Sequence, residues 1–173
     1  NIVRAAGMSL EGTTVDQLFE KIEVKYVDLS NGEFVTDVNE KSYSLQDALR
    51  NPESSVTIKD ENDLAGIGKR AKTMVVYLVR EEGEISTVIL PVYGKGLWST
   101  MYAFLALESD GNTIKGLKFY DHGETPGLGG EIDNPEWQEE WEGKKIYDEN
   151  MSLEIEVLKG NVDESKPQSI HQV

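Results

Sequence analysis

Between Thr73 and Tyr120, four runs rich in β-branched and aromatic residues alternate with short breaks. The runs are Thr73–Val79, Ile85–Val92, Thr100–Leu107 and Thr113–Tyr120. Such residues fit a pleated, half-buried surface. Glu81-Glu82-Gly83 closes the first pair as a hairpin, and Ser109-Asp110-Gly111-Asn112 closes the second. Met101–Leu107 is apolar enough to admit a helix as the second reading. Helical signals fall outside this block, near the start and around residues 135–141. The fold expected is therefore α+β, a mainly antiparallel sheet with a few short helices, in one domain over residues 1–173.

Local signals fill in the rest. Thr14-Val15-Asp16-Gln17 reads as a capping box, followed by Val15, Leu18, Phe19 and Ile22 at helical spacing. Asn31-Gly32 predicts a hairpin between Val24–Leu29 and Phe34–Val38. Ser44–Asn51 predicts a short helix stopped before Pro52, since a residue preceding proline is pushed out of the helical region. Residues 51–70 read as irregular, with one helical turn at most. Asn134-Pro135 supplies an N-cap and an N1 proline, and the helix carries Trp137 and Trp141 on one face until Gly143 ends it. Leu153, Ile155 and Val157 alternate with glutamates and read as a half-exposed strand.

Composition narrows the partners. With 32 acidic against 17 basic residues the chain carries a formal charge of −15, so nucleic acid and anionic membrane surfaces would be repelled. It has no cysteine, which removes disulfides, thiolate metal sites and thiol catalysis. His122 and His171 lie far apart, and no metal-ligand spacing occurs. Nucleophile elbows and phosphate-binding glycine loops are also lacking, so no side chain is assigned as a general acid, base or nucleophile.

What remains is two glycine-bearing bends, each after a predicted strand. The first is Gly94-Lys95-Gly96-Leu97-Trp98-Ser99, whose glycines imply a bend or a close backbone approach. The second, His122 to Glu131, holds four glycines and one proline in ten residues. Thr125-Pro126-Gly127-Leu128 fits a type II turn, proline presetting φ and glycine taking the positive φ. Gly129-Gly130 then permits another change of direction. Both bends offer backbone N–H groups, a small hydroxyl (Ser99, Thr125) and a large apolar side chain (Trp98, Leu128). An apolar slot edged by a few polar groups suits a planar heteroaromatic ligand. At Trp98 a core tryptophan is the equal alternative, and for the second bend a plain strand-to-helix connector.

These same residues carry a resemblance. Tyr93-Gly94-Lys95-Gly96-Leu97-Trp98-Ser99-Thr100-Met101, Glu124-Thr125-Pro126-Gly127-Leu128-Gly129-Gly130 and Asn134-Pro135-x-Trp137 resemble the FMN-binding domain of the C component of the Na+-translocating NADH:quinone oxidoreductase. The likeness runs from Asn1-Ile2-Val3-Arg4-Ala5-Ala6-Gly7 to Lys144-Lys145-Ile146-Tyr147. The Glu-Thr-Pro-Gly-Leu-Gly stretch also occurs in the related G component of the Rnf electron-transfer complex. The Gly-Leu-Trp-Ser-Thr-Met segment favours the former.

The resemblance implies an electron-transfer flavoprotein within a membrane complex that oxidises NADH, reduces quinone and exports sodium. It implies a single membrane helix before Asn1, in the bacterial cytoplasmic membrane, with this domain on the extracytoplasmic side. FMN would be joined through its phosphate to a threonine beyond Val173, by a flavin transferase. The other membrane subunits would be its partners and would bind NADH, quinone and sodium. Carried over by motif, Gly94, Gly96, Leu97, Trp98 and Ser99 would line one wall of the flavin site. Glu124, Thr125, Pro126, Gly127, Leu128 and Gly129 would line the other. A non-redox extracytoplasmic docking module is the reading from a different class.

Overall fold

The computed structural model describes residues 2–8, 12, 14–39 and 42–173. In chain order the elements are α1 (Ile2–Ala5), α2 (Val15–Phe19), β1 (Ile22–Asp28), α3 (Leu45–Arg50), β2 (Ser55–Thr57), β3 (Lys69–Ala71), β4 (Thr73–Glu81), β5 (Glu84–Lys95), β6 (Thr100–Glu108), β7 (Ile114–Asp121) and α4 (Pro135–Glu139). Short 3-10 turns occupy Asp60–Asn62, Gly129–Asp133 and Pro167–His171.

Strands β4 to β7 form an antiparallel meander, and β1 joins its edge beside β4, giving the order β1-β4-β5-β6-β7. The α+β expectation holds, and Met101–Leu107 is strand, paired on both sides. Its neighbours on either side supply the ladder bonds that a helix would have to supply internally.

Directly opposed residues share a face of the sheet. The register therefore puts Ile22, Val79, Ile89, Ala106 and Gly116 on one face. The helices α1 and α2 cover this end of that face, and Val3, Ala5, Ala6 and Leu18 close the core over Ile22, Val79, Ile89 and Ala106. Ile89 and Ala106 are wholly buried. Thr14 caps α2 as the sequence predicts, its Oγ1 accepting from Gln17 N while Gln17 Oε1 accepts from Thr14 N. The Val15 side chain, which the sequence places on the apolar face, lies outside the described residues.

The other half of this face is aromatic. Tyr77, Phe104, Tyr120, Tyr102 and Tyr93 follow one another at centroid separations of 6.0, 4.7, 6.2 and 5.8 Å. Of these, Tyr77, Phe104 and Tyr120 line a cleft of about 450 Å³ together with Tyr26, Tyr43 and Pro91. Tyr43 packs edge-on to Tyr26 and donates to Thr73 O at 2.6 Å. Burial, with lesser effects from Tyr26 and Tyr93, pushes the Tyr43 phenol up to about 12.

Several expected elements differ. Phe34–Val38 is not a strand: only the Val27–Phe34 bridge forms. The turn is built around Asp28, which takes Ser30 N on its carboxylate and Gly32 N on its carbonyl, so the returning chain leaves after one bridge. Phe34 is left exposed and gives no burial to hold a longer ladder. Leu153–Val157 likewise makes lone bridges, Tyr147–Leu153 and Glu156–Gln172, with Leu153 and Val157 exposed. The alternation with glutamate is real, but no sheet face waits to receive its apolar side. Residues 51–70 hold more order than expected, the β2–β3 pair.

Candidate functional site

The site follows from the meander. β5 ends at Lys95, β6 starts opposite it at Thr100, and β7 ends at Asp121 opposite Tyr102. The four-residue link 96–99 and the chain leaving β7 therefore emerge at the same end of the sheet, on either side of β6. That is why two bends some 25 residues apart in sequence become neighbours.

Glu124 joins them. Its carboxylate accepts from Leu97 N at 3.2 Å, Trp98 N at 3.1 Å, Ser99 N at 3.0 Å and Ser99 Oγ at 3.0 Å. Ser99 Oγ in turn accepts from Gly123 N at 2.7 Å. The Glu124 residue is only 7% exposed. Burial alone would raise its pKa. The hydrogen bonds from Trp98, Ser99 and Leu97 outweigh that and hold the carboxyl below its usual range.

His122 extends the chain of contacts. Its Nδ1 accepts from Glu124 N at 3.2 Å, and its Nε2 lies 2.9 Å from Asp133 Oδ2. With Nδ1 accepting, the neutral ring carries its proton on Nε2 and donates it to Asp133; this tautomer is assigned from the hydrogen bonds.

Steric fit explains the glycines. A Cβ on Gly96 would overlap Glu124 Oε1, and one on Gly129 would sit 2.9 Å from Oε2. The carboxylate is thus held between two backbone stretches that only glycine lets so close. A Cβ on Gly94 would meet Ala65 O at 3.6 Å, and Lys95 N donates to that same carbonyl at 2.7 Å. Thr125–Leu128 forms the expected type II turn: Gly127 has φ +75° and Leu128 N donates to Thr125 O at 3.1 Å. Gly130 N donates to the same carbonyl at 2.9 Å, leading into the 3-10 turn, Asn134 and α4.

Two expectations change. The N–H groups of Leu97, Trp98 and Ser99, read from sequence as available to a ligand, are taken by Glu124. Those of Gly96, Gly123, Glu124, Leu128 and Gly130 are also paired within the chain. Trp98 is not a core tryptophan: it is 72% exposed, beside Leu97 at 80%, and Leu128 on the second bend is 73% exposed. The structure thus brings the two bends together as one clamped surface that holds three large apolar side chains out in solvent. Three large apolar side chains exposed on two loops pinned to each other make this end of the sheet the candidate site.

Sequence reasoning missed the clamp itself, His122, Asp133 and the aromatic cleft. The clamp left a signal only in its glycines, whose spacing from Glu124 in space is not visible along the chain. The cleft was legible in part, because Tyr77, Phe104 and Tyr120 fall within the predicted strands.

An antiparallel meander with paired glycine bends at one end defines a class of domain. Residues 96–173, starting at the first glycine of the clamp, match the family model described as the FMN-binding domain. Among known proteins, the chain is 45% identical over 170 residues to the C component of the Na(+)-translocating NADH-quinone reductase of Vibrio alginolyticus, covering 98% of this chain and 66% of that one. It is 49% identical over 161 residues to the same component from Neisseria meningitidis serogroup B, covering 92% and 62%. The crystal structure of Shewanella oneidensis NqrC superposes with a TM-score of 0.88 at 36% identity, over 99% of this chain and 78% of that one.

The chain therefore belongs to the NqrC family, the C components of the Na+-translocating NADH-quinone reductases. It spans 62–66% of the length of these two curated relatives. These relatives favour neither the Rnf reading nor the docking-module reading. Among the described residues no helix is long and apolar enough to cross a membrane.

Proposed function

We propose that this chain is the FMN-bearing electron-transfer domain of a sodium-pumping NADH:quinone reductase, and that the clamped bends hold the flavin. The observation that carries the reading is the triad Leu97, Trp98 and Leu128, exposed on loops fixed by Glu124. The match to the FMN-binding domain model over residues 96–173 supports it.

The residues fit the group. The three apolar side chains would pack against the planar ring and keep water from it. Ser99, Thr125, Gly127 and Gly129 offer small groups and backbone beside it, and Pro126 with Gly94 and Gly96 sets the shape of the walls. FMN would supply the redox chemistry, while the chain's own residues bind, orient and exclude water. Attachment through the phosphate to a threonine beyond Val173, made by a flavin transferase, belongs to the same proposal. So do a membrane helix ahead of residue 1, placement on the outer face of the bacterial cytoplasmic membrane, and docking to the other subunits of the complex.

Two experiments test this. The full-length gene product is expressed with and without a flavin transferase and run on a denaturing gel; a fluorescent band that depends on the transferase is expected. A colourless protein under both conditions refutes the proposal. Separately, Leu128→Asp should lower flavin occupancy or shift its spectrum with the melting temperature unchanged. An identical spectrum and potential would remove Leu128 from the ring's surroundings.

A further inference from the structure

We infer that Glu124 does not itself contact the flavin but positions Leu97–Ser99, and that as a fixed anion with no cation paired to it among the described residues it lowers the flavin's reduction potential. The inference rests on the flavin reading above and assigns a regulatory role within the same site.

Four observations carry it. All four donors to the carboxylate come from Leu97, Trp98 and Ser99, so the side chain faces into the first bend. Gly96 and Gly129 flank it so closely that a Cβ on either would overlap or crowd its oxygens, and Met101 Cγ lies beside Gly96. The carboxylate is thus turned inward, and the residue is only 7% exposed. Finally, none of the ion pairs among the described residues involves Glu124, so its charge is balanced by N–H and O–H dipoles alone.

The consequence is electrostatic as well as steric. Three successive N–H groups converging on one point form a concave anion site, which a ligand phosphate or a reduced ring could otherwise use. Here the chain fills that site with its own carboxylate. Reduction adds negative charge to a flavin, and a buried anion among the residues that carry Leu97 and Trp98 opposes that addition. The N–H groups that would have stabilised the reduced form are already spent. Glu124 thereby does two things: it locks the apolar side chains in place, and it makes the bound flavin a stronger electron donor.

Charge and clamp can be separated. In Glu124→Gln the amide oxygen can still accept from Trp98 N, Ser99 N and Ser99 Oγ, while the amide nitrogen faces Leu97 N and loses only that bond. The measurement is the midpoint potential of the flavin-loaded protein by spectroelectrochemistry at neutral pH, for wild type, Glu124→Gln and His122→Ala. Glu124→Gln should raise the potential with flavin retained. His122→Ala, which keeps the Glu124 charge and its four donors but frees the Glu124 N–H, should leave the potential near wild type and loosen the second bend, read as lower flavin fluorescence anisotropy.

An unchanged potential in a flavin-loaded Glu124→Gln protein overturns the inference, as does a potential raised equally by His122→Ala. Should Glu124→Gln fail to fold, the wild-type pH profile decides. The potential should gain an extra rise as pH falls through the depressed Glu124 pKa, and a profile without that step also overturns the inference. A wild-type protein without flavin would instead refute the proposed function, so the two failures are distinguishable.

Discussion

Replacing Gly116 by alanine is the sharpest test of how the helical cover sits on the sheet. Gly116 lies in β7 opposite Ala106, on the face that α1 covers. A Cβ there would come 2.5 Å from the carbonyl oxygen of Ala5 and 3.5 Å from its carbonyl carbon. A carbon ordinarily approaches a carbonyl oxygen no closer than about 3.3–3.6 Å, so α1 must retreat by roughly 1 Å. The obstacle is backbone, and no rotamer change relieves it.

Retreat lifts Val3, Ala5 and Ala6 away from Ile89 and Ala106. Overpacking of this kind costs about 1–3 kcal/mol, against which the lower entropy of an unfolded alanine returns about 0.4–1 kcal/mol. A net loss of about 1–2 kcal/mol would lower the melting temperature by roughly 2–8 °C for a domain of this size. Urea denaturation with unchanged m would measure it, and hydrogen exchange at the Ala6 and Met8 amides, bonded to Ile2 O and Val3 O, would locate it.

Gly111→Ala serves as the control. That glycine has φ +66° with open space around it, so its cost is local strain and α1 exchange should not change. Ala5→Gly should not rescue Gly116→Ala, because the crowding atom is the Ala5 carbonyl. A Gly116→Ala protein as stable as wild type, or more so, would refute this seating of α1.

Three further outcomes follow from the same geometry. Gly96→Ala should displace the Glu124 carboxylate and lower flavin occupancy far more than it lowers global stability; equal occupancy in the two proteins would show that the clamp tolerates a Cβ. Glu124 has its folded pKa below the unfolded value of 4.5, so the native state binds fewer protons there and stability is lost as pH falls below about 4.5; Glu124→Gln should flatten that acid limb of urea midpoint against pH. Tyr43 has its folded pKa raised from 10.0 to about 12, so its contribution is intact below pH 10 and lost between about 10 and 12. Absorbance titration near 295 nm should show a late-titrating phenol that disappears in Tyr43→Phe.

Much of the fold was legible because its signals are local. The meander strands, the Thr14 capping box, the Pro126-Gly127 turn and the Asn134-Pro135 helix start each depend on residues within a few positions of one another. Elements that failed to form, Phe34–Val38 and Leu153–Val157, carry strand-like residues but found no second ladder to join. A strand needs a partner, and the partner is not written in the strand. The same limit explains the missed β2–β3 pair, whose three-residue strands are too short to show a period.

The sequence by itself determined the sheet-forming block, the positions of the two glycine bends and the residue types they offer, because backbone preference and periodicity are properties of neighbours along the chain. Only the tertiary structure decided what the bends do to each other. The meander carries both to one end of the sheet, where Glu124 of the second bend takes up the N–H groups of the first. There Trp98, which could have been core, stands exposed, and Glu124 acts as a pin between the two bends. Neither outcome could be read along the chain, since each depends on a distance of about 3 Å between residues some 25 positions apart.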